Sequence, residues 1–322
     1  MNTNTLIQTA TTDRQSLSEA KTWPDLVARF IAEQDCCHSS RALYTRTLSQ
    51  FFHYLDEAGL LPIFWAGQLQ RSDIVAYKDN LQQKGLSPLT IGSYLTIVRK
   101  FFAALEAHKI FPDITRGIKT PRKEKGFRKS HLTDAKSAAL LDYARDNMSA
   151  RDFAIINLML RTGLRTIEVV RADIADLQFK ADRRILSVWG KGHDRKDDFV
   201  ILTAKAYEPI RAYLSERNTK GNNLPLFASE SRRNAAERLT TRTISGICKQ
   251  ALRAIGLDDS QFTAHSLRHT TACAILKHGG QITDAQGVLR HNSPTTTQIY
   301  TASIEQELRL QNEAEGLLDE AF

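Results

Sequence analysis

Cysteine is scarce, with four in 322 residues. Cys36, Cys37, Cys248 and Cys273 have neither the paired spacing of a zinc site nor that of a secreted disulfide framework, so reduced, structural thiols are expected. Adjacent Cys36 and Cys37 do not readily bridge each other. No apolar run approaches the roughly 20 residues that cross a bilayer, which leaves no membrane among the expected partners. The first twenty residues are polar and hydroxyl-rich, without a charged start followed by an apolar block, so no signal peptide is expected and the reading is of a cytoplasmic protein. Internal repeats and low-complexity tracts are absent too.

What is present is ordinary globular material with an excess of one charge. An apolar share of 42% and a charged share of 25% suit a folded chain, and 322 residues suffice for two domains, each with its own core. The net charge of +8 attracts a polyanion and gives a salt-dependent affinity that ignores sequence. Many basic proteins bind no nucleic acid, so charge alone decides nothing.

The chain divides at a basic stretch. From Thr115 to His131 there are seven basic residues, Arg116, Lys119, Arg122, Lys123, Lys125, Arg128 and Lys129, against one acid, Glu124, with Pro121 and Gly126 interrupting regular structure. A solvated linker is the plain reading, and one this basic would also track a phosphate backbone. Upstream the pattern is helical. Pro24 suits a first helical position ahead of Leu26, Val27, Phe30 and Ile31, and Ser39 or Ser40 can cap a helix carrying Leu43, Leu48, Phe51, Phe52 and Leu55, with Gly59 as its stop. A third helix is expected from Ser72 to before Gly85, and a fourth from near Ser87-Pro88 through Ile91, Leu95, Val98, Phe101, Phe102 and Leu105. Downstream, Thr133 is the expected N-cap of a helix opened by Asp134, and another helix runs through Phe153, Ile155, Ile156, Leu158 and Leu160. A β-region follows, Arg184 to Trp189 and Phe199 to Leu202 flanking Gly190-Lys191-Gly192-His193, and helix is expected again from Tyr207. The organisation read from this is a flexible segment over 1–20, a helical bundle over 21–112, a basic linker over 113–131 and a second domain over 132–322 ending in a tail helix.

Residues that carry chemistry gather late in the chain. His265-Ser266-Leu267-Arg268-His269 is followed by Arg290-His291 and by Tyr300; upstream lie Arg165, in Arg161-Thr162-Gly163-Leu164-Arg165-Thr166-Ile167-Glu168, and Lys191 in its glycine-flanked turn. Each has a plain structural reading. Gly163-Leu164-Arg165 can be a helix end with its glycine stop, and Gly190-Lys191-Gly192 a simple hairpin turn. His265 and His269 share a helix face that can bind zinc, but no acidic general base stands between them and no third ligand is evident. A lone tyrosine is ordinarily half-buried.

In that order and in those local sequences, Arg165, Lys191, His265 with Arg268, His291 and Tyr300 resemble the tyrosine recombinases of the phage integrase family. The resemblance covers almost the whole chain. It rests on the Arg-x-x-Glu box at Arg165 and Glu168, the Gly-Lys-Gly turn, the His-x-x-Arg-His box and a tyrosine nine residues after His291. It implies a mainly α fold with a small β-sheet: an N-terminal SAM-like core-binding bundle and an α+β catalytic domain, together forming a C-shaped clamp on DNA. Two departures stand out. Ser266 lies where the family often has aspartate, and Arg290 where it often has glycine; neither is a catalytic position, so they bear on the subgroup.

The chemistry fits these residue types. A phosphodiester under attack gathers negative charge on its non-bridging oxygens, and Arg165 and Arg268 are the candidates to meet it with paired hydrogen bonds. Tyr300 would attack phosphorus, losing a phenolic proton that His265 can receive or orient. Lys191 would protonate the departing 5′ oxygen as general acid. The resemblance implies a 3′-phosphotyrosyl intermediate, a Holliday junction and a role for His291 in holding the scissile phosphate and positioning Tyr300. Because the phosphotyrosine retains the bond energy, neither metal nor other cofactor is expected.

Expected partners are double-stranded DNA recombination sites and the protein itself, as a tetramer that exchanges C-terminal tails through Ile304, Leu308, Leu310, Leu317 and Leu318; accessory directionality factors are also admitted. Candidate DNA contacts are Arg41, Tyr44, Arg46, Thr90, Ser93 and Arg99 in the bundle and Arg122, Lys123, Lys125, Arg128 and Lys129 in the linker, although exposed arginines are commonly just solvated. Two rivals are disfavoured: a type IB-like topoisomerase, because the two-domain layout and terminal tail look like the recombinases, and a catalytically silent DNA-binding protein on the same scaffold, because every expected active-site position is filled.

Overall fold

The computed structural model describes residues 17–122, 130–189, 195–218 and 221–290, and the chain falls into two compact units, Met1–Lys125 and Gly126–Phe322. Among the described residues the first unit is helical throughout: α1 (Trp23–Glu33), α2 (His38–Glu57), α3 (Leu61–Trp65), α4 (Arg71–Gln83) and α5 (Pro88–Ala107). Pro24 stands in the first turn of α1, where a missing N–H leaves no bond unmade. The Ser87 hydroxyl caps α5, accepting from the Thr90 N–H at 3.2 Å. α2 begins earlier than the sequence suggests, with Cys37 as its cap and Ser39 and Ser40 already inside the first turn. α3 was not foreseen because Leu61-Pro62-Ile63-Phe64-Trp65 is too short to show a helical period.

Two segments assigned elsewhere by composition belong to this unit. Leu17, in a 3₁₀ turn over Leu17–Glu19, is buried in the core, so 17–19 are not part of a flexible leader. Residues 113–118 fold back rather than starting a linker: Thr115 and Ile118 are buried, Arg71 donates to the Arg116 carbonyl, and Arg99 donates to that of Ile118. The apolar side chains of Ile114 and Ile118 outweigh the charges around them. The core itself is aromatic, with Phe30, Phe51, Phe52, Tyr77, Phe101 and Phe102 packed largely edge to face.

The second unit opens with α6 (Asp134–Asn147), α7 (Ala150–Thr162) and α8 (Thr166–Arg171). The Thr133 and Ser149 hydroxyls cap α6 and α7 as their positions demand. A three-stranded antiparallel sheet follows in the order β1 (Leu177–Lys180), β2 (Arg183–Val188), β3 (Asp198–Ile201), with Leu186 facing both Leu177 and Val200. β1 escaped the sequence reading because only four residues form it and most of them are exposed. After α9 (Ala204–Arg217), residues 221–240 form turns and two isolated bridges instead of the expected helix, since Gly221, Asn222 and Pro225 favour turns. α10 (Thr241–Ala254), α11 (Ala264–Lys277) and α12 (Ile282–Leu289) complete the described chain. α7 lies at the centre, its buried Ile155, Ile156, Leu158 and Met159 packed among α6, α9 and α11. The expected tail helix lies outside the described residues.

Candidate active site

α7 stops at Gly163, which takes the left-handed backbone at φ +63° and donates its N–H to the Met159 carbonyl at 2.9 Å. The helix-end reading is therefore correct, and it is also what presents Arg165. Leu164 is driven into the core and the next residue emerges as the cap of α8. Glu168 grips Arg165 twice, one carboxylate oxygen accepting from its backbone N–H at 2.7 Å and the other from Nη1 at 2.8 Å. Glu168 is buried while 28% of the Arg165 side chain stays exposed, so the guanidinium is fixed on one side and still reachable.

α11 supplies the next pair. Its N-terminus is closed by Ser266, whose buried hydroxyl accepts from the Thr263 N–H and donates to the Gln261 carbonyl, both at 3.0 Å. An aspartate could accept there but not donate, which gives the serine a local reason. His265 is exposed and Arg268, three residues on, is buried, with its two terminal nitrogens donating to the carbonyls of Gly163 and Leu289. A buried guanidinium is tolerated only with partners of this kind. Arg165, His265 and Arg268 line one cavity of about 310 Å³, together with Leu164, Thr166, Ser245 and Thr263. Three of the six proposed catalytic residues are thus brought together by α8 and α11. His269 is buried one turn beyond His265, the ring centroids 5.9 Å apart. Among the described residues, no three His, Cys, Asp or Glu side chains form a group that can hold a metal ion.

The other three, Lys191, His291 and Tyr300, lie outside the described residues. The chain is described up to the points on either side. β2 ends at Val188 opposite Asp198, and Lys196 secures the returning chain by ion pairs to Asp173 at 2.7 Å and Asp176 at 2.5 Å. Burial pulls the Lys196 ammonium down, but the bonds to those carboxylates prevail and raise it; burial likewise favours protonated Asp173, yet Arg238 and Lys196 hold its carboxyl below the ordinary value. At the end of α12, Arg290 pairs with Glu168 at 2.7 Å and with Asp198 at 3.5 Å. In the sequence Arg290 stands out only as a departure from glycine, with no partner nearby.

In the first unit, Tyr44, Ser93 and Arg99 line a groove of about 430 Å³ between α2 and α5. Lys100, which the sequence reading missed, lines it too, its ammonium 2.9 Å from the Tyr44 hydroxyl; its position seven residues after Ser93 on one helix face was the available signal. Arg41 and Arg46 are exposed on α2 outside that groove, and the Thr90 hydroxyl is engaged with Ser87 at 2.9 Å. Arg122 is exposed; Lys123, Lys125, Arg128 and Lys129 lie outside the described residues. No described helix is long and apolar enough to cross a membrane.

Residues 130–307 match the model of the phage integrase family, and residues 26–109 that of the phage integrase N-terminal SAM-like domain. The chain is 31% identical over 269 residues to tyrosine recombinase XerC of Neisseria gonorrhoeae, covering 81% of this chain and 84% of that protein. It is 28% identical over 284 residues to tyrosine recombinase XerD of Listeria monocytogenes serovar 1/2a, covering 86% and 92%. Its fold is similar to that of XerH site-specific recombinase bound to a palindromic difH substrate, with TM-score 0.70 and 20% identity over 91% of this chain and 85% of that one. It is also similar to the Tn1549 transposon integrase in complex with circular intermediate DNA, with TM-score 0.66 and 18% identity over 87% and 95%.

Proposed function

The chain belongs to the phage integrase family of tyrosine recombinases, and from that membership we propose that it is a site-specific DNA recombinase that cleaves duplex DNA through Tyr300 and rejoins the end to a different strand. The observation that carries this reading is the shared cavity of Arg165, His265 and Arg268. Two guanidinium groups held by buried partners offer a phosphate fixed positive charge without reorganisation at the moment of reaction. His265 stands exposed at the same cavity, available to a tyrosine proton. Lys191 would protonate the departing 5′ oxygen, and His291 would bond the scissile phosphate beside Tyr300. The product of the first step is a 3′-phosphotyrosyl enzyme, which a second strand's 5′ hydroxyl resolves by way of a Holliday junction.

Both units would contact the duplex, the first through the groove of Tyr44, Ser93, Arg99 and Lys100. Assembly on two sites would be tetrameric, each protomer donating its tail to a neighbour. Two hollows in the second unit, sharing Arg161, Thr203 and Val288 and lined by Leu141, Leu160, Ile275 and Phe199, would offer an apolar seat for the tail leucines. Accessory directionality factors fit the same scheme. The test is a nicked duplex that traps the covalent intermediate: the wild type should form a detergent-resistant adduct, and Tyr300→Phe should bind the DNA equally but form none. An adduct with the phenylalanine variant would assign the nucleophile elsewhere.

A further inference from the structure

We propose that Arg290 is a positioning residue for Arg165, acting through the carboxylate that the two share; the inference rests on reading Arg165 as a phosphate-holding residue. Glu168 accepts from Arg165 Nη1 at 2.8 Å through Oε1, and through Oε2 from the Arg165 backbone N–H and from Arg290 Nη2, both at 2.7 Å. Glu168 and Arg290 are 6% and 7% exposed, so the contact is made out of water, where charge matters most. A buried carboxylate facing one guanidinium would cancel it. With a second guanidinium on its other oxygen, the carboxylate is divided between two cations, and although Asp198 balances Arg290 from 3.5 Å on its far side, Glu168 is not given to Arg165 alone, so the exposed side of Arg165 can present charge to an anion. Held from both sides, the carboxylate also has one orientation to offer Arg165.

The backbone supports a role for the side chain. Arg290 has φ +54°, the left-handed conformation that glycine adopts freely and arginine does not. Such a residue persists where its surroundings over-determine it, and here Nη1 also donates to the Val288 carbonyl at 3.0 Å while Nε stands 3.5 Å from Asp198. The contacts close a circuit: Arg268 joins the carbonyls of Gly163 and Leu289, Arg290 follows Leu289 and returns to Glu168, and Glu168 holds Arg165. A displacement at 289–290 therefore reaches Arg165 by two routes.

The test measures cleavage of the nicked trapping duplex by full-length wild type, Arg290→Gln, Arg165→Lys and the double variant. Arg290→Gln should slow cleavage by about tenfold or more, the scale on which outer partners act on a functional group, with DNA affinity unchanged. In the Arg165→Lys background the same change should add less than about twofold, because a residue that acts through Arg165 has nothing left to position. On a duplex whose scissile phosphate is a neutral methylphosphonate the Arg290→Gln defect should shrink. Arg290→Gly, which suits the left-handed backbone and so separates folding from positioning, should melt no lower than the glutamine variant and cleave as slowly. Effects that multiply in the double variant, or an undiminished defect on the neutral substrate, would overturn the inference while leaving Arg165 in place. An Arg165→Lys protein that cleaves at the wild-type rate would overturn the reading of Arg165, and the inference with it.

Discussion

Arg268 donates to the carbonyl of Gly163, so a residue proposed to hold phosphate also latches the turn that presents Arg165. Its second donor reaches Leu289, immediately before Arg290. The proposed phosphate contact and the fold would therefore share one buried side chain, and removing Arg268 would disturb the segments at Gly163 and Leu289 as well as the charge in the cavity. Substitutions around it discriminate better than substitution of Arg268 itself.

Gly163→Ala is the first. A Cβ at φ +63° would lie 2.5 Å from Leu289 Cδ2 and 3.4 Å from Thr271 Cγ2. Leu289 is fully buried, so its methyl would have to shift within the core to make room. The variant should lose about 1–3 kcal/mol of stability from overpacking and the unfavourable backbone. Thermal denaturation of the full chain measures this, and an unchanged Tm would mean that the turn yields without penalty.

The site was legible in the sequence where its determinants are local. Thr133 and Ser87 act at the first turns they precede, and the Gly163 stop lies two residues before Arg165, so these helix ends and the arginine box follow from short-range rules. Arg290 was not legible because its partner Glu168 is 122 residues away and only the folded chain brings them together. The docking of 113–118 is not legible because Ile114 and Ile118 are isolated apolar residues among charged and turn-forming neighbours, too few to show a period. Short elements such as α3 and β1 carry too few residues to display a period.

Lys191→Ala tests the proposed general acid. On ordinary DNA cleavage should slow by roughly 10²–10⁴-fold, the usual value of a positioned proton donor. Replacing the 5′ bridging oxygen by sulfur makes the leaving group a thiolate, which departs without a proton. The defect should then largely disappear, and equal defects on the two substrates would remove Lys191 from the role.

Neutralising Arg122, Lys123, Lys125, Arg128 and Lys129 together should weaken DNA binding without regard to sequence. Every phosphate that goes unneutralised should flatten the slope of log K against log salt by roughly 0.9, so the combined variant should flatten it by about 4–5. Arg116 provides the contrast, since it is paired with Glu106 and Asp113 within the first unit. Arg116→Gln should leave the slope alone, and a salt dependence untouched by the fivefold variant would show the linker to be merely solvated.

Asp173 makes stability depend on pH. Its carboxyl is held below the ordinary value, the bonds from Arg238 and Lys196 outweighing burial. Such a group stabilises the fold above its unfolded pKa of about 3.9, and the contribution fades as pH falls through the lower folded value. Asp173→Asn should therefore cost about 1–3 kcal/mol near neutral pH. Urea denaturation should find that gap closing in acid, and a gap that persists there would assign it to packing instead of charge.

The tail after Tyr300 is expected to act between protomers. Ile304, Leu308, Leu310, Leu317 and Leu318 offer an apolar stripe at broadly helical spacing that must be covered. The hollows around Leu141, Leu160, Ile275 and Val288 in the second unit would seat it, and Val288 and Phe199 are each 40% exposed there. Donating a helix head to tail around a ring gives every subunit the same contact and links its tyrosine to the state of its neighbour. Deleting residues from 304 onward should leave a folded monomer that binds DNA yet cleaves about 5- to 150-fold more slowly, the span of ordinary coupling energies. Val288→Asp, which places a charge in the seat, should impair assembly to the same degree while keeping the tail intact. Light scattering on DNA decides the matter: a truncated protein that still forms tetramers and recombines two sites at the normal rate would show that the coupling runs through another surface.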